Sequence, residues 1–431
     1  MKKYLAMALS CALTLSLLVG CAQQAAPAPA AGEPAAQAAQ ATGDKKLVFW
    51  APLSGGDFDF MNTIVGEYNA TNPEYPVEFL SKDWGDTYYQ SLNSSLMAES
   101  GPDVFVIHQS NLAGFIPTGK LADVSKIDAG VDWSKYNKAQ LDSVKSGGAQ
   151  YSVPLDTHAL VLFYNKDILD RAGVTEDELR GVSSLDSWNA ILDKIGAVVT
   201  PDEHVLDFAT SGANTITQFW VWYVLTVQGG GVYMADGKSG MNSEAGVNAM
   251  QAMKDWHEKN YIKSGIEDAT TYDLFKTGKA ALNLTGVWST GNYETAADLN
   301  FGVMPIPPIM GEKKTWGDSH TIGIPAYASD ERKVAALKFA DFVTDHSITW
   351  AKAGHVPSKP AVTESEEFKA LPYRSNYTDV INDVVYYPAC EQLSACNSIA
   401  CTKISESFNG DSTAQEAMDA AAEEINAELS K

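Results

Sequence analysis

Short apolar runs alternate with amphipathic stretches along most of the chain. Lys46-Leu47-Val48-Phe49-Trp50 reads as a strand. After Ser54-Gly55-Gly56-Asp57, Phe58, Met61, Val65 and Tyr68 fall on one face of a helix, which Asn72-Pro73 stops. Apolar runs at 77–80 and 104–107 predict two further strands. Strands alternating with helices imply a mostly parallel sheet, in which ligands gather at the carboxyl ends of the strands. Trp50, Asp83, Trp84, His108 and Gln109 all fall at such ends, although each taken alone also has a structural reading. Gly55-Gly56 is not a phosphate loop, since it lacks both the P-loop lysine and the GxGxxG spacing.

The stretch YSVPLDTHALVLFYNKD (151–167) stands apart. Pro154 denies a helix start, and 159–164 is apolar without alternation, as in a strand buried on both faces. Asp156 and His158 sit on the polar link between two apolar strands. Such a segment can cross between domains and leave polar groups in the crevice; the alternative is one buried strand with a satisfied Asp156. Further on, Asp186 caps a helix whose Trp188, Ile191, Leu192 and Ile195 read as core. Phe219, Trp220, Trp222 and Tyr223 cover more than one helix face, so at least one should face a crevice, with Asn214 and Gln218 as polar neighbours. Val247, Met250, Met253 and Trp256 form a core stripe. After a strand at 281–284 comes Gly286-Val287-Trp288-Ser289, and after the proline-rich connector 303–311 comes WGDSHTIGIP (316–325). Val334, Leu337, Ala340 and Val343 mark another helix. Near the end, Glu391 is a hydroxyl-acceptor candidate, and Arg374 is expected to form a surface ion pair.

Lys2 and Lys3 precede an apolar run too short for a membrane span, and Leu18-Val19-Gly20-Cys21 reads as a lipobox. Residues 1–20 are thus expected to be a lipoprotein signal peptide, with Cys21 as the lipidation site. Residues 21–43, rich in Ala, Gln and Pro, are expected to be a flexible tether. The chain would then be lipid-anchored on the extracytoplasmic face of a bacterial membrane without spanning it. What remains is too long for one core and fits two domains. A net charge of −23 excludes an electrostatic fit to nucleic acid. Cys390, Cys396 and Cys401 allow at most one disulfide, best placed between Cys390 and Cys396. No CxxC pair or histidine cluster has zinc spacing, so neither a structural metal nor a cofactor is expected.

PLDTHALVLFYNKDILDRAGV, GPDVFVIHQSNLAGFIPTGKLADV (101–124), LFKTGKAALNLTGVWSTGNY (274–293) and STAQEAMDAAAEEINAEL (412–429) resemble, in that order, the signature stretches of the maltose-binding-protein-like sugar-binding proteins of ABC importers. The resemblance implies a type II periplasmic-binding-protein-like α/β fold of two lobes, each a mostly parallel sheet flanked by helices. Lobe 1 is expected at 44–154 plus 318–345, and lobe 2 at 155–317 plus 346–431, with hinges near 154–158 and 316–322. It further implies a monomer that closes on a mono- or oligosaccharide and is read by an ABC permease. It assigns sugar stacking to Trp288 and to one of Trp220 and Trp222, while Asp318 and His320 stand where the family has small residues. A polyamine or a glycerophosphodiester is the alternative ligand on this scaffold. A secreted glycoside hydrolase is a weaker one, conceivable because Asp83, Asp156, Asp318 and Glu391 could flank a sugar. There is no GxSxG, and no cysteine near a plausible base, so nucleophilic hydrolysis has no candidate.

Overall fold

The computed structural model describes residues 45–53, 56–83, 85–211 and 216–431. The leader, the tether, Cys21, Trp84 and Asn214 lie outside the described residues. No helix among the described residues is long and apolar enough to cross a membrane.

In the first lobe, five strands lie in the order Val77–Ser81, Leu47–Ala51, Val104–His108, His320–Gly323, Val153–Pro154. Val104–His108 sits in the middle and is buried along its whole length, as its unbroken apolar run requires. Leu47, Phe49 and Ala51 alternate inward and meet Met61, Ile64 and Val65 of the helix Gly56–Ala70. That helix ends just before Asn72, which takes a positive φ ahead of Pro73. Leu337, Phe339, Ala340 and Val343 of the helix Asp330–Asp345 complete this core, together with Trp350 of the helix Ser347–Ala353.

The second sheet is organised around Asp156–Asn165, buried at all its positions. It pairs antiparallel with Ala280–Gly286, Phe301–Pro305, Thr315–Asp318 and Val356–Pro357. His204–Asp207 and Val384–Val385 extend the sheet parallel to their own neighbours. Each sheet therefore contains one strand running against all the others: His320–Gly323 in the first and Asp156–Asn165 in the second. Both reversed strands have just crossed from the other sheet. The apolar character of 159–164 follows from having neighbours on both edges and helices over the faces.

These crossings lie side by side. Asp318 pairs with His158 and Gly317 with Ala159, while Ile322 pairs with Val153 and Thr321 with Pro154. A third pass joins them where Val356 pairs with Thr157 and Pro357 with Asp156. A Cβ on Gly317 would come within 2.7 Å of the His158 carbonyl oxygen, so the closeness of the waist strands demands glycine there.

Two expectations are corrected outside the cleft. Arg374 is not a surface ion pair. It is 1 % exposed, donates to the carbonyls of Ala351 (3.0 Å) and Pro372 (2.8 Å), and pairs with Glu294. A guanidinium can be buried because those fixed acceptors use its several N–H donors. The Cys390–Cys396 disulfide does not form, and none of the three late cysteines is in a disulfide. Cys396 points into the core from the helix Leu393–Phe408, where burial pushes its thiol up to about 12, while Cys390 donates to Gln392 Oε1 at 3.6 Å.

Candidate functional site

A cavity of about 1060 Å³ opens between the lobes, and residues of both sheets and of the waist line it. From the first lobe come Asp57 at the start of Gly56–Ala70, Tyr89 of the helix Asp86–Met97, His108 at the end of its strand, and Ser110 and Asn111 just beyond. The carboxyl ends of the strands do face the ligand space here, as the parallel layout dictates. Asp318 receives the Ser110 and Ser319 backbone N–H groups at 3.2 and 2.8 Å, and burial still pushes its carboxyl up to about 6.

The second lobe supplies an aromatic wall. Trp220 and Trp316 stack with centroids 4.1 Å apart and planes at 19°. Trp288 meets Trp220 edge-on at 5.8 Å, and its indole N–H donates to Tyr272 Oη at 3.3 Å. The Trp288 ring folds back over Gly286, where a Cβ would lie 1.9 Å from the ring; this is why the Gly-x-Trp element needs its glycine. Tyr272 and Tyr387 also reach the cavity, and Glu267 and Asp268 add carboxylates beside them.

At the waist, four side chains converge that are distant in sequence. Asp156, His158, His320 and His355 each place one ligand-capable atom within 4.8 Å of the others, and all four are buried. Asp156 is fully buried. Its Oδ1 lies 3.1 Å from His158 Nδ1 and accepts the His320 backbone N–H at 3.0 Å; its Oδ2 lies 2.8 Å from His320 Nδ1 and accepts the Trp350 indole N–H at 2.6 Å. Burial would raise the Asp156 carboxyl, but the neighbouring His320 charge and the hydrogen bonds from His158 and His320 hold it well below the usual range. Burial and the neighbouring His320 bring His158 down to about 4. Burial opposes protonation of His320 too, yet the Asp156 charge outweighs it and the imidazole is raised. His108, hydrogen-bonded through Nδ1 to the Tyr89 hydroxyl, is lowered by burial and by His320 and His158.

The structure thus brings His108, His158, Trp220, Trp288, Asp318 and His320 to one cavity, with Asp156 directly beneath. Other expected positions lie elsewhere. Trp222 is 0 % exposed, two residues from Trp220, and donates to Gly246 O at 2.9 Å inside the second core. The helix Ile216–Gln228 is buried on every side, so facing inward there does not mean facing the cleft. Trp50 packs beside Tyr88 and Phe105 under the Lys82 ammonium, 4.3 Å away, and does not line the cavity. Asp83 is exposed and Gln109 Nε2 donates to Ser143 O at 3.4 Å, both off the cavity. Glu391 lines an adjoining recess of about 220 Å³ with Asn93 and Cys390, which shares Tyr89, Ser110 and Asn111 with the main cavity.

Trp316 and His355 were missed. Trp316 was legible, because on a strand it shares the face of Asp318 two positions on. His355 carries no local signal and reaches the site only through the third crossing.

The profile of the family described as bacterial extracellular solute-binding proteins matches residues 52–349. The chain is 22% identical over 362 residues to the maltotriose-binding protein of Pyrococcus abyssi, covering 82% of this chain and 75% of that one. It is 25% identical over 370 residues to the arabinooligosaccharide-binding protein of Bacillus subtilis, covering 81% of each. Among solved structures, UgpB from Mycobacterium tuberculosis in complex with glycerophosphocholine superposes with a TM-score of 0.81 at 20% identity, over 90% of this chain and 99% of that one, a likeness of fold. Matched by that profile over more than half its length, and folded as two lobes around a cleft, the chain belongs to the bacterial extracellular solute-binding protein family.

Proposed function

We propose that the cleft captures a neutral carbohydrate, a mono- or oligosaccharide, and that the closed protein delivers it to an ABC permease. The observation that carries this reading is the Trp220–Trp316 stack with Trp288 set against it, on a cavity lined by no lysine or arginine among the described residues. Flat indoles match the apolar C–H faces of sugar rings, while Asp57, Asn111, Asp318 and Glu267 could take ring hydroxyls. About 1060 Å³ is room for more than one sugar ring. The names of two relatives, which bind maltotriose and arabinooligosaccharide, point the same way.

The lining also carries four carboxylates, Asp57, Glu267, Asp268 and Asp318, which favours a polyamine as the second reading through ion pairing and cation–π contact. A glycerophosphodiester fits less well, since no basic side chain faces its phosphate. We read the protein as a binder and not a hydrolase, and as anchored through a lipidated Cys21.

A thermal-shift screen of the purified protein over a carbohydrate panel, with spermidine and glycerophosphocholine included, tests the ligand class. A saccharide that raises the melting temperature and is recovered uncleaved supports the reading. Stabilisation by spermidine alone selects the second, and cleavage products overturn the non-catalytic assignment. Loss of lipid-precursor labelling in Cys21→Ser tests the anchor.

A further inference from the structure

We propose that Asp156, His158, His320 and His355 bind a divalent transition-metal ion of the zinc class, tying together the three strand crossings at the waist. Nothing in this proposal depends on the ligand being a carbohydrate.

His355 holds a buried ring nitrogen without a hydrogen-bond partner. Its ring is fully buried and lies parallel to the Trp350 indole, 4.3 Å away with planes at 5°. Its Nε2 lies 3.3 Å from Asp57 Oδ1, a position for an N–H donor. In that tautomer Nδ1 carries a lone pair. Nδ1 is 3.4 Å from Asp156 Oδ2, yet it makes no hydrogen bond there or anywhere else. A buried imidazole lone pair facing a buried carboxylate oxygen is repulsive unless positive charge lies between them. A proton on Nδ1 would leave an ion pair at 3.4 Å without hydrogen-bond geometry. A metal ion is not bound to the N···O line, because it draws lone pairs from several directions at once.

The rest of the cluster supplies those directions. His158 Nδ1 and His320 Nδ1 approach the same carboxylate at 3.1 and 2.8 Å, so three imidazole nitrogens converge on one acid. Three imidazoles and a carboxylate are a ligand set suited to zinc. The outer groups also fit, since ligands in metal sites are themselves held by hydrogen bonds. The Trp350 indole N–H and the His320 backbone N–H fix Asp156, and Asp57 fixes His355. Asp156 and His158 belong to the first crossing, His320 to the return strand, and His355 precedes the third. One ion would therefore join all three.

The test is a Zn²⁺ titration of the chelator-treated full chain, followed by calorimetry and thermal melting. One equivalent should bind and raise the melting temperature by several degrees. Co²⁺ in its place should give the visible bands of nitrogen and oxygen ligation with no thiolate charge-transfer band, so the free cysteines are not the site. His158→Gln and His355→Gln should each weaken Zn²⁺ binding by about a hundredfold or more, while His257→Gln should not. Failure of the native chain to take up Zn²⁺, a thiolate-type Co²⁺ spectrum, or full affinity in both ligand variants would overturn the proposal. Should a variant fail to fold, the native Co²⁺ spectrum decides alone.

Discussion

The first-lobe wall of the cleft offers Asp57, Tyr89, Ser110 and Asn111 from strand ends and helix starts, whereas the second-lobe wall offers Trp220, Trp288, Trp316 and Tyr272. The difference is one of rigidity as well as polarity. Trp220 and Trp316 stack on each other and join an aromatic layer that runs through Tyr387 into Phe219 and Tyr233. Their faces are thus held by one lobe alone, whatever the other does. On the proposed reading, the polar groups opposite complete their contacts with a ligand as the lobes close on it. On that reading, stacking supplies the affinity of an open form and polar contact the drive to close.

Two tryptophans of one helix break the comparison most sharply. Trp222→Ala removes a fully buried indole from the second core and should cost about 3–5 kcal/mol of unfolding free energy, read by denaturant titration, with ligand affinity of the folded fraction little changed. Trp288→Ala should do the reverse, weakening binding by about 2–4 kcal/mol in calorimetry and leaving the melting of the ligand-free protein nearly unchanged. If both substitutions mainly lower stability, the aromatic wall is only core. On the opposite wall Asn111→Ala should cost about 0.5–1.5 kcal/mol of affinity, a smaller loss because only one polar contact goes. Glu391→Gln, in the adjoining recess and off the main cavity's lining, should leave affinity within about 0.5 kcal/mol of the native value.

Local pattern carried much of this. Pro154 between apolar runs marked the crossing, and the Gly-x-Trp element marked Trp288, because each consequence is decided within a few residues. Trp220 and Trp222 could not be separated, since choosing between them requires knowing that Gly246 and the helix Glu244–Glu258 cover one side of their helix. The waist cluster was half visible. Asp156, His158 and His320 stood out as polar residues on apolar strands, but His355 joins them through a pass that no motif announced. Spacing rules for metal sites read neighbours in sequence, and this set is assembled by topology. Trp50 was the opposite error. It does sit at a strand end, but the neighbouring Tyr88 and Phe105 draw it into their own packing.

On the proposed reading, a neutral saccharide stacks on the second-lobe tryptophans inside the cleft. Tryptophan fluorescence during titration of the full chain with a saccharide selected by thermal shift tests it most directly. A saturable one-to-one change is expected, which Trp288→Ala diminishes and shifts to higher saccharide concentration. Binding with no change in tryptophan emission, or an undiminished change in Trp288→Ala, would contradict it.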